Sequence, residues 1–131
     1  MKSLGKHLII EFHDCDPDVL NSTEACEEYL LEAARLAGAT IIKPFFHKFN
    51  PHGVSGIIVI AESHFSVHTW PEYGYCALDV FTCGDDIQSE PAVAFLRKNF
   101  KAGHYTVMEI KRGLLDLPHG EIKYKPETEA T

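Results

Sequence analysis

Three short runs, Leu8-Ile9-Ile10, Ile41-Ile42 and Ile57-Ile58-Val59-Ile60, set apolar side chains at consecutive positions of segments that read as β-strands. Successive strand residues point to opposite faces, so a continuous apolar run belongs to a strand covered on both sides. The rest of the chain supplies only two helices. One is predicted over 22–37, where Asn21 followed by Glu24 resembles a capping box and Gly38 stands at a left-handed C-cap position. Cys26, Tyr29, Leu30, Ala33 and Leu36 would form its inner face. The second is predicted over 88–101, with Pro91 in its first turn and Val93, Ala94, Leu96 and Phe100 as the apolar stripe. Strands are predicted at 6–12, 40–49, 54–62, 64–70, 75–82 and 104–111. A proline and acid break at 14–18, the turn Asn50-Pro51-His52-Gly53 and the loop Pro71-Glu72-Tyr73-Gly74 divide them. Two helices can cover only one face of a five- or six-stranded sheet. The expected protomer is therefore α+β, a two-layer sandwich of mostly antiparallel sheet with both helices on one face. Its bare face is expected to pack on a second copy, giving a homodimer of four αββα layers.

At 131 residues the chain is expected to form one domain, 1–131, large enough to bury roughly two-thirds of its unfolded surface. Nineteen acids against twelve bases leave a net charge of −7, which argues against non-specific nucleic-acid binding, a task for clustered Lys and Arg. No apolar run approaches the ~20 residues of a spanning helix, and the start, Met-Lys-Ser-Leu-Gly-Lys-His, lacks a signal peptide's apolar core. A soluble cytoplasmic domain, bound neither to membrane nor to nucleic acid, is the expectation. The four cysteines, at 15, 26, 76 and 83, show no C-x-x-C spacing and read as free thiols in a reducing compartment. Everything after Gly113 reads as an acid- and proline-bearing tail.

Chemistry concentrates between Glu62 and Gly84, where two His, two Ser, acids, the single Trp and Cys83 fall within about two dozen residues. His64 and His68 stand four apart, a zinc-ligand spacing on a helix. On a strand the same spacing spans roughly 13 Å, too far for two ligands of one ion, and no metal is expected. Ser63, His68 and Cys83 could form a nucleophile and base, but no Gly-x-Ser-x-Gly elbow frames either serine. Residue types alone leave an α+β domain with a candidate site near 63–83.

The order of these residues is more specific. Glu62-Ser63-His64 followed by His68-Thr69-Trp70-Pro71-Glu72-Tyr73-Gly74-Tyr75 resembles the signature of the prokaryotic S-adenosylmethionine decarboxylase proenzymes, the short pyruvoyl-dependent class. Ser3-Leu4-Gly5-Lys6-His7, Gly53-Val54-Ser55-Gly56 and Asp79-Val80-Phe81-Thr82-Cys83-Gly84 resemble the family at matching spacing, so the likeness spans about 2–113.

The resemblance implies a precursor that cuts itself between Glu62 and Ser63 into a β chain, 1–62, and an α chain, 63–131. In such an acyl shift the Ser63 hydroxyl attacks the Glu62 carbonyl and turns the amide into an ester. Removal of the Ser63 α-proton then expels the Glu62 carboxylate, and hydrolysis leaves a pyruvoyl group and ammonia. By the same resemblance His68 is the processing proton acceptor, a role that suits an imidazole near neutral pH. The pyruvoyl group would hold S-adenosylmethionine as a Schiff base and act as electron sink. Cys83 would return the proton to the substrate's Cα. Phe49 and Trp70, with Phe46 as a further candidate, suit a sulfonium cation and an adenine ring. Glu72 suits ribose hydroxyls, and Ser55 would line the site. The implied product is the aminopropyl donor of spermidine synthesis.

Residues 63 and 68 have opposite parity on one strand, so the assignment demands a bend or break after Ser63, or contact around the sheet edge; a break is expected. Two other readings stay open at this level. The same pyruvoyl chemistry could serve arginine or ornithine, or the chain could be a non-enzymatic His-rich dimer that binds metal or a partner protein.

Overall fold

The structure, a computed structural model, describes residues 2–84, 86–116 and 122. Its strands are β1 (Lys2–His13), β2 (Thr40–Lys48), β3 (Val54–Ala61), β4 (Ser63–Trp70), β5 (Tyr75–Cys83) and β6 (His104–Leu115). Its helices are α1 (Pro17–Leu20), α2 (Thr23–Leu36) and α3 (Ser89–Phe100). All six strands join one sheet in the order β2-β3-β4-β5-β1-β6, with every neighbouring pair antiparallel. The α+β sandwich expected from the sequence is therefore the fold observed.

Alternation along the strands sorts the sheet into two faces. Leu8, Ile10 and Phe12 of β1, Ile58 and Ile60 of β3, Phe65 and Val67 of β4, and Leu78 and Val80 of β5 are buried beneath the helices. Leu30 and Ala33 of α2 and Leu96 and Phe100 of α3 close that core from above. The inner faces of both helices match expectation at Cys26, Leu30, Ala33, Leu96 and Phe100 and differ only at their edges. Ala34 and Ala92 are buried, whereas Leu36 and Ala94 face outward. Small alanines let the helices approach the sheet, and Leu36 lies about 100° from the inward line through Cys26, Leu30 and Ala33.

The N-cap of α2 also moves by one residue. Ser22 accepts from the Ala25 N–H at 3.0 Å, while Asn21 accepts from the Gly53 N–H at 3.0 Å, across 32 residues. The expected break at 14–18 contains the single turn α1, opened by Pro17 and capped by Asp16. Gly38 takes the left-handed conformation expected of it, φ +81°. Strand β6 continues to Leu115, past the expected limit of 111; the rest of the tail, except Asp116 and Ile122, lies outside the described residues.

Phe46 packs, partly buried, against the core under the helices. It lies over Gly56, its register partner on β3, so closely that any Cβ at position 56 would overlap the ring. Gly56→Ala is accordingly expected to lower stability by about 1–3 kcal/mol through overpacking. Chemical denaturation would show this as an unchanged m-value with a lower midpoint.

Helices cover one face only. On the other, Phe45, Ile57, Val59, Met108 and Ile110 are exposed, Phe45 to 67% and Met108 to 60%. Ile57 and Val59 account for the continuous apolar run of β3, Ile42 of β2 is likewise exposed, and Phe45, Met108 and Ile110 extend the apolar surface across β2 and β6.

Candidate active site

Strand β4 opens at Ser63 with φ +126°, a backbone conformation that side-chain-bearing residues rarely adopt. Ser63 pairs with Ile60 on β3 and Thr82 on β5, and Glu62 forms the turn before it. Cys83 follows Thr82 at the end of β5 and stands opposite Gly5 of β1. A Cβ on Gly5 would come within 2.4 Å of the Thr82 carbonyl oxygen, 2.9 Å of Cys83 Sγ and 3.2 Å of the Phe81 ring, so only glycine fits between that backbone and the thiol. The expected break after Ser63 is not found. The strand runs unbroken to Trp70, and the irregularity falls on Ser63 itself.

A second group stands at the other end of the same strand. His68 and Ser55 are register partners, with Ser55 Oγ 2.8 Å from His68 Nδ1. Trp70 is half-exposed, its ring 5.4 Å from that of Tyr75. Glu72, in the 3₁₀ turn Pro71–Tyr73, meets His52 at 3.2 Å. Phe49, half-exposed just beyond β2, carries the His47 ring at 4.6 Å.

The sequence-predicted residues thus form two clusters. Glu62, Ser63 and Cys83 lie at one end of β4, and Phe49, Ser55, His68, Trp70 and Glu72 at the other. Five residues of strand separate Ser63 from His68, roughly 17 Å. One protomer does not bring the two groups together.

Between them lies a polar belt that the sequence did not reveal. Asp79, at the centre of β5, takes His7 Nε2 of β1 at 2.8 Å on one oxygen and the Ser66 hydroxyl of β4 at 3.1 Å on the other. His64 sits edge-on to Phe81 at 5.8 Å, and the Arg112 guanidinium covers the Phe81 ring at 4.6 Å. Tyr75 donates its hydroxyl to Glu11, and burial with that bond pushes the phenol up to about 12. The carboxylate stands between Ser66 and His7, so the imidazole cannot take the Ser66 proton as a triad base does. His7 and Asp79 are 72 positions apart, and only strand order makes them neighbours.

Burial holds His64 below the ordinary imidazole value; His7 and Arg112 act the same way, against the pull of Asp79. The folded chain therefore binds this proton less readily than the unfolded chain. The contribution is intact above the unfolded value of about 6.5 and is lost as pH falls below it. In His64→Gln the decline in Tm from about pH 7 to about pH 5 should be shallower than in wild type. Calorimetric scans across that interval decide the matter; an unchanged decline would contradict a role for the half-buried His64 ring in acid destabilisation.

Among the described residues no helix is long and apolar enough to cross a membrane, and no group of three His, Cys, Asp or Glu could hold a metal ion. His64 and His68 lie on one strand, four residues apart.

Residues 6–113 match the family model described as S-adenosylmethionine decarboxylase. A protein of Acidithiobacillus ferrooxidans named S-adenosylmethionine decarboxylase proenzyme is 48% identical over 129 residues, covering 96% of this chain and 97% of that one. One of the same name from Thermosipho melanesiensis is 51% identical over 116 residues, 88% of this chain and 89% of its own. The crystal structure of the adenosylmethionine decarboxylase from Aquifex aeolicus superposes with a TM-score of 0.83 at 32% identity, covering 88% of this chain and 96% of that one.

Proposed function

Since the chain belongs to the S-adenosylmethionine decarboxylase family, a family of enzymes, we propose that it removes the carboxylate of S-adenosylmethionine with a pyruvoyl group made from its own Ser63. The observation that carries this reading is Ser63 itself, at φ +126° where β4 begins, with Cys83 on the adjoining strand. A residue held in so sparsely populated a conformation carries strain of about 1–3 kcal/mol, which scission of the Glu62–Ser63 bond would release.

Processing follows from the chain's own groups. The Ser63 hydroxyl adds to the Glu62 carbonyl carbon, the C–N bond breaks, and an ester joins the two segments. His68 accepts the Ser63 α-proton, the Glu62 carboxylate departs, and water releases ammonia, leaving 1–62 and 63–131. Ser55 holds the His68 ring through the 2.8 Å contact, fixing which nitrogen is free to act. The pyruvoyl group supplies an electron sink for the pair left behind by carbon dioxide. Cys83 keeps a proton on its sulfur to place on the substrate's Cα. Phe49 and Trp70 offer aromatic faces to the sulfonium and the adenine, and Glu72 accepts from ribose hydroxyls. The product, S-adenosylmethioninamine, carries the aminopropyl group that spermidine synthesis consumes.

His68 reaches Ser63 if two copies pack their bare faces together about a two-fold axis perpendicular to the strands. Ser63 and Cys83 of each copy then lie under the partner's cluster, so the pair holds two shared sites. The exposed apolar residues of β2, β3 and β6 support that packing. Charge supports this orientation too: Lys43 and Arg112 stand toward the Ser63 end, Glu11 and Glu72 toward the other.

Carboxyl-labelled S-adenosylmethionine, arginine and ornithine test the substrate. Labelled carbon dioxide is expected from S-adenosylmethionine at least about a hundredfold faster than from the other two, which lack its adenosine. Release from arginine or ornithine alone would overturn the reading.

A further inference from the structure

Two anchored turns meet at the His68 end of the sheet, and one side chain of each closes the gap between them. His52, in the turn between β2 and β3, sets its Nε2 3.2 Å from Oε2 of Glu72, in the turn between β4 and β5. Neither turn is free to drift. The Gly53 N–H donates to Asn21 Oδ1 at 3.0 Å, the Phe49 N–H to the Gly53 carbonyl at 2.8 Å, and the Val54 N–H to Thr69 Oγ1 at 2.8 Å. Across the gap, Gly74 closes the 3₁₀ turn at φ +61°, and its carbonyl accepts from the Cys15 N–H at 2.9 Å.

We infer that His52 is a positioning residue, holding the Glu72 carboxylate so that it reads the ribose diol of an adenosine-bearing substrate. The inference rests on the substrate reading above. An exposed His–Glu pair adds little to stability, and each of these side chains is more than a third exposed, so the contact matters through orientation. An unheld glutamate side chain samples many rotamers. With Oε2 engaged by the imidazole, Oε1 faces a fixed direction, as two adjacent hydroxyls require of one carboxylate. Phe49 precedes one turn and Trp70 the other, which puts aromatic faces for a nucleobase beside the same carboxylate.

Titration calorimetry on the mature protein tests this, with 5′-methylthioadenosine and its 2′-deoxy counterpart as probes. Neither carries an amino acid, so the readout is independent of decarboxylation. Wild type should prefer the ribonucleoside by roughly tenfold or more, the range of a hydrogen bond to a charged group. His52→Ala should shrink that preference to about twofold, and His52→Gln, which keeps an N–H donor, should restore most of it. In turnover, His52→Ala should raise KM for S-adenosylmethionine roughly tenfold and move kcat less than about twofold, the pattern of lost uniform binding. Asn21→Ala, which frees the turn without touching the pair, should lower the preference in the same direction. If Glu72→Gln loses the preference while His52→Ala keeps it, the inference is overturned and the substrate reading stands. If Glu72→Gln keeps it as well, Glu72 is not the ribose acceptor and the inference falls, whereas the substrate reading falls only if the wild type binds neither nucleoside and releases no labelled carbon dioxide from S-adenosylmethionine.

Discussion

Co-expressed Ser63→Ala and His68→Ala chains are expected to recover about a quarter of wild-type decarboxylase activity, although each variant alone is inactive. Within one chain the serine and the imidazole lie at opposite ends of β4, roughly 17 Å apart, so neither can serve the other in place. Two copies packed bare face to bare face exchange them. In a mixed pair, the Ser63 of the His68→Ala chain meets the intact His68 of its partner, and one complete site forms. The other site lacks both groups. Random pairing makes about half the dimers mixed, each with one working site of two, which sets the expected recovery. Denaturing electrophoresis reports the same arithmetic independently, since only chains in a complete site are cut. Complete absence of recovery, with mixed dimers shown to be present by differential tagging, would mean that each chain supplies its own base.

Replacing Cys83 separates the two halves of the chemistry. Cys83→Ala should still be cleaved at Glu62–Ser63, because the acyl shift draws on the Ser63 hydroxyl, the Glu62 carbonyl and His68. Turnover should fall by about a hundredfold or more, the usual effect of removing a positioned proton donor. Ser63→Ala should lose cleavage and turnover together, having neither nucleophile nor ketone precursor. Full-rate turnover by a cleaved Cys83→Ala enzyme would exclude this thiol as the donor. Gly5 stands beside the same thiol: a side chain there would meet the Thr82 carbonyl first and then Cys83 Sγ, so glycine is needed by contact rather than by backbone conformation.

Much of this was legible in the residues because local rules carried it. Alternation and apolar runs located all six strands, and a 3.6-residue period with Gly38 located α2. The family motif picked out the residues of both clusters but gave no sign that they stand at opposite ends of one strand. Non-local competition hid the rest. Asn21 stands where a cap residue should, but its side chain serves Gly53, and the cap passes to Ser22. The insertion of β1 between β5 and β6 depends on pairings about 70 and 100 positions apart, which no window of sequence contains. That insertion is what brings His7 to Asp79 and lays Arg112 over Phe81. The break expected after Ser63 rests on the premise that one chain holds both Ser63 and His68. The continuous strand removes that premise and moves the question to the second copy.

Intact mass spectrometry of purified, mature protein tests the central claim most directly. Two polypeptides are expected, one ending at Glu62 and one beginning at position 63 that is lighter by one ammonia than the same segment with a free serine amine. Borohydride should add two hydrogens to the second fragment and none to the first, as a ketone requires. A single uncut chain of 131 residues, or a cut chain whose second fragment keeps its serine amine, would contradict the account.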